Sequence, residues 1–438
     1  MTLNTTSRPG PKAQALIARD DALMSGSSTP RYPFVMDRGE GARVWDVDGN
    51  EYIDFAAGIA VNSTGHSHPT VVKAITDQAQ KFLHIAGTDY YYEVQVRLAE
   101  RLASIAPISG PVRVFLTNSG TETVEGAIKM ARWYTKRPNI IAFFGAFHGR
   151  SMGALSLNAS KVVQKDGFGP FIPGVYHAPY YNPYRSDNIE ADLHYIDEIL
   201  FKKLVPAESV AAIILEPIQG EGGYVVPDPR FLQHLRQLCD QHGILLIVDE
   251  VQSGIGRTGK WWAIEHLGVE PDIVCSAKGI ASGMPLGAIL ARSEIMSWPV
   301  GAHGSTFGGN PLSCAAALAT LDLIEAGMMN NAAEQGKYIM DALEEMQTHH
   351  PSMRYGRIAG HGLMIGVELV QDEQKTPAKD LRDAVERIAI DKGLLVLGAG
   401  VSTLRICPPL MIDNSLVQQG LERLDASLTQ AEQEAGML

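Results

Sequence analysis

Residues 243–254 read Gly-Ile-Leu-Leu-Ile-Val-Asp-Glu-Val-Gln-Ser-Gly, and the rest of the chain can be placed around them. Positions 245–248 form an unbroken apolar run, which is typical of a strand buried on both faces of a parallel sheet. The run ends on two carboxylates, Asp249 and Glu250. In open α/β sheets the carboxyl ends of the strands face the ligand crevice. The sequence therefore predicts that a carboxylate at this strand end belongs to a binding site.

A lysine follows a second strand-like run. Residues 273–277 are Ile-Val-Cys-Ser-Ala, Lys278 comes next, and a Gly- and Ala-rich patch follows at 281–287. An amine that loses hydration at a strand end has a lowered pKa and becomes nucleophilic. An acid that holds a positive ring nitrogen, together with such a lysine, is the pair that a pyridoxal phosphate enzyme requires. Taken alone, Asp249 and Lys278 would favour the alternative, a salt bridge between two strand ends; the surrounding residues reverse that preference.

Composition and charge disfavour several classes of protein. The chain has 438 residues, which predicts two or three domains, or one large α/β unit with a satellite. It is 45% hydrophobic and 20% charged, as in ordinary soluble enzymes, and its net charge of −12 disfavours nucleic acid as a partner. The four cysteines are scattered without a Cys-x-x-Cys pair, which predicts buried free thiols in a reducing compartment. Since no apolar signal core and no run of about 18 apolar residues is present, we expect a cytoplasmic protein without a membrane span.

Strand-like and helix-like segments alternate along most of the chain. The first 40 residues read as a polar arm, 44–55 as a hairpin, and 160–186 as a long loop rich in Gly, Pro and Tyr. The alternation up to about residue 330 predicts an α/β fold with a mostly parallel, doubly wound sheet, plus a small α+β unit built from both chain ends. We place the N-terminal arm and part of the small domain at 1–65, the large cofactor-binding domain at 66–330, and the C-terminal small domain at 331–438.

A hydroxyl-rich stretch, Ser119-Gly120-Thr121, follows one predicted strand and opens a predicted helix. Backbone N–H groups at a helix start, together with two hydroxyls, form an anion site. The alternative is a capping box, since Ser119 and Glu122 have the S-x-x-E spacing. Because Lys278 is the expected partner of a phosphate-bearing cofactor, phosphate binding is the favoured interpretation.

The segment Phe147-His148-Gly149-Arg150 follows another predicted strand. The phenyl ring of Phe147 can stack on a flat ring, and Arg150 can clamp a carboxylate through two parallel hydrogen bonds. The alternative for Phe147 is ordinary core packing, and the alternative for Arg150 is a surface ion pair.

Two acids and a distant arginine complete the set of candidate residues. Glu216 ends a third predicted strand, and Glu221 lies in the Gly-rich turn that follows it. Arg405 is flanked by apolar residues before a diproline, and a buried arginine needs a partner, for which Glu221 is a candidate. Either acid can instead be structural.

Two patterns suggest other chemistry, but each is a weaker signal than the strand-end residues described above. Residues 254–259 fit G-x-G-x-x-G, yet a dinucleotide site requires the glycines directly at the strand end, where Asp249 and Glu250 would repel a pyrophosphate. His66 and His68 have a metal-like spacing without a third ligand nearby, so we predict structural histidines and no metal site.

The chain resembles the class III (omega-type) aminotransferases of fold type I, which use pyridoxal 5'-phosphate. The resemblance runs from Trp45-Asp-Val-Asp-Gly to Arg405-Ile-Cys-Pro-Pro and is strongest over 246–252, 256–259 and Lys278. It implies an amino donor and a 2-oxo acid as substrates and an obligate homodimer with shared sites, possibly a tetramer. The chain departs from the family at three positions. It has Thr123 where alanine is usual, Ser253 where threonine is usual and Phe307 where tyrosine is usual.

The resemblance also implies residue roles. Lys278 would bond covalently to the cofactor aldehyde and move the proton at the substrate Cα, while Asp249 would pair with the ring nitrogen. The other implied cofactor-binding residues are Ser119, Gly120 and Thr121 at the phosphate, Phe147 on the ring, Gln252 at the ring hydroxyl, His148 and Glu216 nearby, and Thr306 at the phosphate of the neighbouring subunit.

Within the family, the loop 167–179 looks most like that of the 4-aminobutyrate aminotransferases. This implies substrate contacts at Ile59, Arg150, Glu221 and Arg405. Glu221 would pair with Arg405 while an omega-amine substrate is bound, and would swing away when glutamate or 2-oxoglutarate enters. Ornithine and acetylornithine aminotransferases and broad-specificity amino-acid racemases share most of these residues and stay open as alternatives. A nicotinamide dehydrogenase is the alternative outside the family.

Overall fold

The structure is a computed structural model that describes residues 8–28 and 32–438. Its α-helices are, in chain order, α1 Pro11–Leu23, α2 Ala57–Ala60, α3 Pro69–Lys81, α4 Glu93–Ser104, α5 Gly120–Thr135, α6 Met152–Leu157, α7 Ile189–Leu193, α8 Phe201–Lys203, α9 Pro229–His242, α10 Pro311–Leu323, α11 Met329–Gln347, α12 Pro351–Arg354, α13 Lys379–Asp391 and α14 Asn414–Glu434. Its strands are β1 Met36–Glu40, β2 Arg43–Asp46, β3 Glu51–Asp54, β4 Val112–Thr117, β5 Asn139–Phe143, β6 Val175–Ala178, β7 Val210–Leu215, β8 Leu245–Asp249, β9 Ile273–Ser276, β10 Gly287–Arg292, β11 Arg357–His361, β12 Met364–Glu368, β13 Leu394–Leu395, β14 Leu397–Ala399 and β15 Thr403–Ile406.

A seven-stranded sheet with the order β4-β10-β9-β8-β7-β5-β6 forms the centre of the molecule. Strands β6, β5, β7, β8 and β9 run parallel, whereas β10 is antiparallel to both of its neighbours, β9 and β4. The predicted fold class, a mostly parallel α/β sheet of fold type I, is confirmed. Because β4 also points the same way as β9, the carboxyl ends of β4, β5, β7, β8 and β9 meet at one edge.

Helices cover both faces of this sheet, which explains the unbroken apolar runs. All of β8 is buried, and its residues alternate between two cores. Leu245 and Ile247 pack with the buried face of α5, while Leu246 and Val248 pack with α9 on the other face. A strand that is covered on both sides has no polar face, so its sequence loses the alternation that marks a half-exposed strand.

The two ends of the chain meet in the smaller sheets. One sheet has the order β1-β2-β3-β13, so that a strand from the C-terminal third pairs in parallel with the N-terminal hairpin. The other has the order β11-β12-β15-β14 and carries Arg405 on β15. The domain boundaries 1–65, 66–330 and 331–438 stay a prediction.

One sequence interpretation was wrong, and another left out a helix. The predicted loop over 160–186 contains β6, an edge strand that is mostly half-buried and therefore lacks the apolar run of the inner strands. The predicted polar arm contains α1, whose N-terminal amides of Lys12 and Ala13 donate to the Asp48 carboxylate at 3.0 and 2.9 Å. This capping acid lies in the turn of the hairpin, 35 residues after Ala13, so no local pattern could indicate it.

The helical stretch Pro311–Gln347 has the length and composition of a membrane span. Its first part, α10, packs against α3 and α4, and Cys314, Ala316 and Leu321 are buried there. Non-helical backbone at Gly327 then interrupts the helix. Packing inside the protein accounts for the apolar composition of α10 without a bilayer.

Replacing Gly420 by Ala tests the packing between the chain ends. A Cβ on residue 420 of α14 would lie 2.1 Å from Phe55 Cζ, a fully buried ring that follows β3. We expect the variant to lose about 1–3 kcal/mol of unfolding free energy, because a Cβ this close to a fully buried ring forces the ring or the helix to shift. Denaturant unfolding measures this loss, and Glu422→Ala at an exposed position of the same helix is the matched control. Equal stability of the two variants would contradict the packing.

Candidate active site

A cavity of about 310 Å³ lies at the edge where the parallel strands end. Every predicted cofactor residue except Thr306 lines it: Ser119, Gly120, Thr121, Phe147, His148, Glu216, Asp249, Gln252 and Lys278. These residues follow β4, β5, β7, β8 and β9, and the parallel geometry of the sheet brings them together. The rest of the wall comes from 283–286, Val61, Asn118, Gly149, Val251 and Ala277.

A buried hydrogen bond joins Asp249 to His148 at the floor of the cavity. His148 Nδ1 donates to Asp249 Oδ2 at 2.7 Å, and both side chains are almost completely buried. Burial alone would lower the pKa of His148, but the hydrogen bond and charge of Asp249, with the charge of Glu216, raise it overall. The His148 Nε2 atom is buried without a partner among the described residues. The pair therefore fixes a carboxylate in a dry site, where its charge has strong effects.

Glu216 connects two loops beneath the cavity. Its carboxylate accepts from the Gly220 amide at 2.9 Å and from the Phe147 amide at 3.1 Å. Burial raises its pKa to about 7, against the lowering effect of His148. Both carboxylate oxygens bind backbone, so Glu216 holds the walls of the cavity in place.

Lys278 follows β9 in left-handed backbone, with φ of +46°. Its amine forms no hydrogen bond or ion pair with any residue that the structure describes. Burial lowers the pKa of Lys278, and the positive charge of Arg405 lowers it further, while Asp249 and Glu216 oppose this. A lysine in left-handed backbone is strained, and such strain clusters at functional sites. The lowered pKa increases the fraction of the neutral amine, which is the nucleophilic form.

The first turn of α5 offers free donors to the cavity. The amides of Gly120 and Thr121 donate to no described residue, as is usual for the first N–H groups of a helix. The capping box that the sequence left open forms only in part. The Ser119 hydroxyl accepts from Glu122 only at 3.4 Å, and Glu122 binds the amide and side chain of Asn118 instead. The Thr121 hydroxyl is paired with Ser151 at 2.6 Å, so the backbone of Thr121 is the available donor.

The predicted substrate residues lie around the cavity and not in its wall. Arg405 Nη1 lies 3.6 Å from Glu221 Oε2, so the structure brings this pair together. The Arg150 guanidinium lies 5.5 Å from the centre of the Phe147 ring and is exposed. Ile59 is also exposed and has φ of +65°, a strained conformation for a β-branched residue.

Sequence reasoning missed two residues that touch the predicted set. Lys161 Nζ donates to Glu221 Oε1 at 2.5 Å, and the Tyr224 hydroxyl donates to Gln252 Oε1 at 2.8 Å. Lys161 lies in the segment that was interpreted as a loop without structure, and Tyr224 follows a Gly-Gly pair that reads as a turn. A polar side chain in a Gly-rich turn between an acid and an apolar run is the one signal that could have indicated Tyr224.

The two sequence patterns that suggested other chemistry, 254–259 and the His66–His68 pair, have structural roles. Residues 254–259 form a packed turn in which the buried Arg257 donates to the carbonyls of Leu363 and Pro408. His66 bonds Asp54 at 2.7 Å, and the His68 ring accepts from the Thr70 amide at the start of α3. Two other groups have ligand atoms within 4.8 Å of one another and lie outside the cavity: His194, Asp197 and His234, and His349, His350 and Asp425. The prediction of no metal site stays a prediction.

Comparison with known proteins agrees with this geometry. The family described as "Aminotransferase class-III" matches residues 24–428. A 4-aminobutyrate aminotransferase of Mycobacterium tuberculosis is 42% identical over 97% of both chains, and an alanine/serine racemase of Pyrococcus horikoshii is 39% identical over 96% of this chain and 91% of its own. The crystal structure of a thermostable (S)-enantioselective omega-transaminase from Thermomicrobium roseum has a TM-score of 0.88 at 32% identity, covering 96% of this chain and 99% of that one.

The chain belongs to the class III aminotransferase family. Its cofactor is pyridoxal 5'-phosphate. The cavity fits this cofactor, because it presents an amine without a partner, two free amide donors at a helix start and a buried carboxylate. These are the groups that an aldehyde, a phosphate and a ring nitrogen need.

Glu216 predicts a pH dependence of stability. Its folded pKa of about 7 lies above the ordinary value of 4.5, so the native state binds the extra proton between these values. The stabilising effect of this proton is complete at low pH and is lost as the pH rises towards 7. Glu216→Gln removes the titration, so the variant should gain up to about 3 kcal/mol relative to the parent between pH 4.5 and 8.

The measurement is denaturant unfolding of the holoenzyme at several pH values. Glu344→Gln at an exposed position is the control and should follow the parent curve. A Glu216→Gln curve parallel to that of the parent at every pH would show that Glu216 has no raised pKa.

Proposed function

We propose that this enzyme moves an amino group from an omega-amino acid of the 4-aminobutyrate kind to 2-oxoglutarate in two half-reactions. The observation that carries the proposal is the position of Glu221, whose carboxylate lies between Arg405 and Lys161 at 3.6 and 2.5 Å. An arginine that an acid can cover or release suits two substrates, one without an α-carboxylate and one with it. The 42% identity to a 4-aminobutyrate aminotransferase supports this substrate class.

The chemistry at the centre depends on Lys278 and Asp249. When bound, pyridoxal 5'-phosphate supplies an aldehyde and an electron-withdrawing ring that let a proton leave the Cα of an amino acid. Lys278 would hold the aldehyde through its amine, and the same amine would take the proton from the substrate Cα and return it. Asp249 holds positive charge on the ring nitrogen, and His148 keeps Asp249 in place.

The remaining cavity residues bind and orient. Ser119 and the amides of Gly120 and Thr121 hold the phosphate at the positive end of α5. Phe147 would stack on the ring, and Gln252 would donate to the ring oxygen. Glu216 supports the two loops that carry these walls.

Arg150, Ile59 and the Glu221–Arg405 pair select the substrate. Arg150 holds the carboxylate far from the reacting amine, and Ile59 borders the entrance. With an omega-amine substrate, Glu221 covers Arg405, because a buried guanidinium without a partner is costly. With glutamate, the α-carboxylate replaces Glu221 on Arg405, and Lys161 keeps the displaced Glu221 paired.

The site is completed by a second copy of the chain. Thr306 is exposed and lies outside the cavity of its own subunit, in a loop beside Phe307, which is 59% exposed. Tyr91 is 99% exposed and Leu83 is 61% exposed, on a segment where His84 contacts the Phe307 ring. Exposed apolar surface of this kind marks an interface. A homodimer would bury this apolar surface and bring Thr306 to the phosphate that the partner subunit binds. A tetramer is the alternative assembly that would use the same surface.

The buried free cysteines support a reducing, cytoplasmic location. Cys239, Cys275, Cys314 and Cys407 are all buried and unpaired. The described residues contain no disulfide bond, as expected for a compartment that keeps thiols reduced.

Replacing Lys278 by Arg tests the covalent role. Arginine keeps the positive charge but its guanidinium does not deprotonate, so it cannot bond to the aldehyde. We expect the parent holoenzyme to be yellow and to retain cofactor after borohydride treatment, with the label on the peptide that contains Lys278. The variant should lose the label and at least about 10³-fold in amino transfer. Lys260→Arg, at an exposed position, should behave as the parent; a fully active Lys278→Arg protein would overturn the mechanism.

Replacing Glu221 by Gln tests the substrate switch. The variant leaves Arg405 without a counter-charge when an omega-amine is bound, so kcat/KM for 4-aminobutyrate should fall about 10–100-fold while that for glutamate changes less. Lys161→Met should act in the opposite direction, because Glu221 then stays on Arg405 and weakens glutamate binding. Single-turnover rates of the two half-reactions measure both effects. Equal losses in both half-reactions would contradict the switch, and loss of optical activity without amino transfer would favour the racemase alternative.

A further inference from the structure

We propose that Tyr224 is a positioning residue that fixes which end of the Gln252 amide faces the cofactor. This inference rests on the proposed role of Gln252 at the ring oxygen. Gln252 lines the cavity, and its Oε1 accepts from the Tyr224 hydroxyl at 2.8 Å. Because Oε1 already accepts this hydrogen bond, Nε2 is the atom of the Gln252 amide that can contact a ligand. Nε2 donates to no residue that the structure describes, so its hydrogens are free for an acceptor in the cavity.

Gly220 restricts the position of the same amide. A Cβ on residue 220 would lie 2.5 Å from Gln252 Nε2 and 2.9 Å from its Cδ. The amide of Gln252 therefore packs directly on the glycine backbone. A side chain at 220 would displace it, so two independent contacts determine where this amide lies.

The position of Tyr224 is itself fixed by the C-terminal part of the chain. Tyr224 is fully buried and has φ of +53°, which is a strained value for a tyrosine. Arg357 on β11 donates to the carbonyls of Gly223 and Tyr224 at 2.7 and 3.3 Å and also pairs with Glu368. The strained turn is thus held by a buried arginine of a different sheet. Burial raises the pKa of Tyr224 well above its ordinary value, so the hydroxyl remains a donor.

The orientation has a chemical consequence. An N–H that donates to the ring oxygen stabilises negative charge there. This negative charge would be greatest at high pH, so an amide in the observed orientation would lower the pH midpoint of the absorption change of the holoenzyme. A flipped amide would place its carbonyl oxygen against the ring oxygen and raise that pH. Tyr224 favours the observed orientation, because its protonated hydroxyl donates to the amide carbonyl.

The test is a spectroscopic pH titration of the holoenzyme, combined with cofactor binding by the apoprotein. In Tyr224→Phe, the pH midpoint of the absorption change should rise by about 0.5–1 unit, and pyridoxal 5'-phosphate should dissociate about 2–10-fold more readily. Gly220→Ala should shift the midpoint in the same direction with Tyr224 intact, and it decides the question if Tyr224→Phe does not fold. Tyr52→Phe removes another buried hydroxyl, which donates to Asp46, and should leave the midpoint unchanged.

A double-mutant cycle separates positioning from general stability. Once Gln252→Ala has removed the amide, Tyr224→Phe should cause no further shift. An unshifted Tyr224→Phe midpoint, or an equal shift with and without Gln252, would overturn the inference while leaving the aminotransferase function intact. A parent protein that stays colourless with pyridoxal 5'-phosphate would overturn the proposed function, and the inference with it.

Discussion

The hydrogen bond between His148 and Asp249 is the interaction on which the site depends. A carboxylate at the end of a fully buried strand is costly unless a positive or hydrogen-bonding group accompanies it. His148 supplies that group at 2.7 Å, and its pKa is raised in consequence. Asp249 ends a strand that is covered on both faces, and its carboxylate is buried although it lines the cavity. The sheet therefore holds a negative charge ready for a cationic ring before any ligand arrives, which is the form of preorganisation that electrostatic catalysis uses.

The rest of the site is assembled from distant parts of the chain. The parallel sheet supplies the floor and the amine, whereas the C-terminal sheet supplies Arg405 and holds Tyr224 through Arg357. Arg405 also affects the chemistry directly, since its charge lowers the pKa of Lys278. If Arg405 binds a substrate carboxylate as proposed, recognition and amine reactivity are linked, because a carboxylate that neutralises Arg405 weakens this lowering of the Lys278 pKa. The left-handed backbone at Lys278, Ile59 and Tyr224 shows that the surrounding packing tolerates strain where side chains must be aimed.

The sequence predicted the central sheet and its cavity because both follow from local rules. Apolar runs that end on Asp249, Glu216 and Lys278 indicate buried parallel strands, and parallel strands bring their carboxyl ends together. What it could not predict rests on long-range contacts. The edge strand β6 is only half-buried, and α1 is capped from the hairpin by Asp48. Lys161 and Tyr224 lie 60 and 28 residues from the side chains that they bind, and no spacing rule covers such separations.

The nitrogen-15 chemical shift of the pyridine nitrogen, in holoenzyme prepared with labelled cofactor, tests the central claim most directly. If the Asp249–His148 pair holds a cationic ring, the nitrogen should be protonated and stay so well above the pH at which free pyridoxal 5'-phosphate loses that proton. Asp249→Asn should abolish this protonation in a protein that still binds cofactor. An unprotonated ring nitrogen in the parent enzyme at neutral pH would contradict the account.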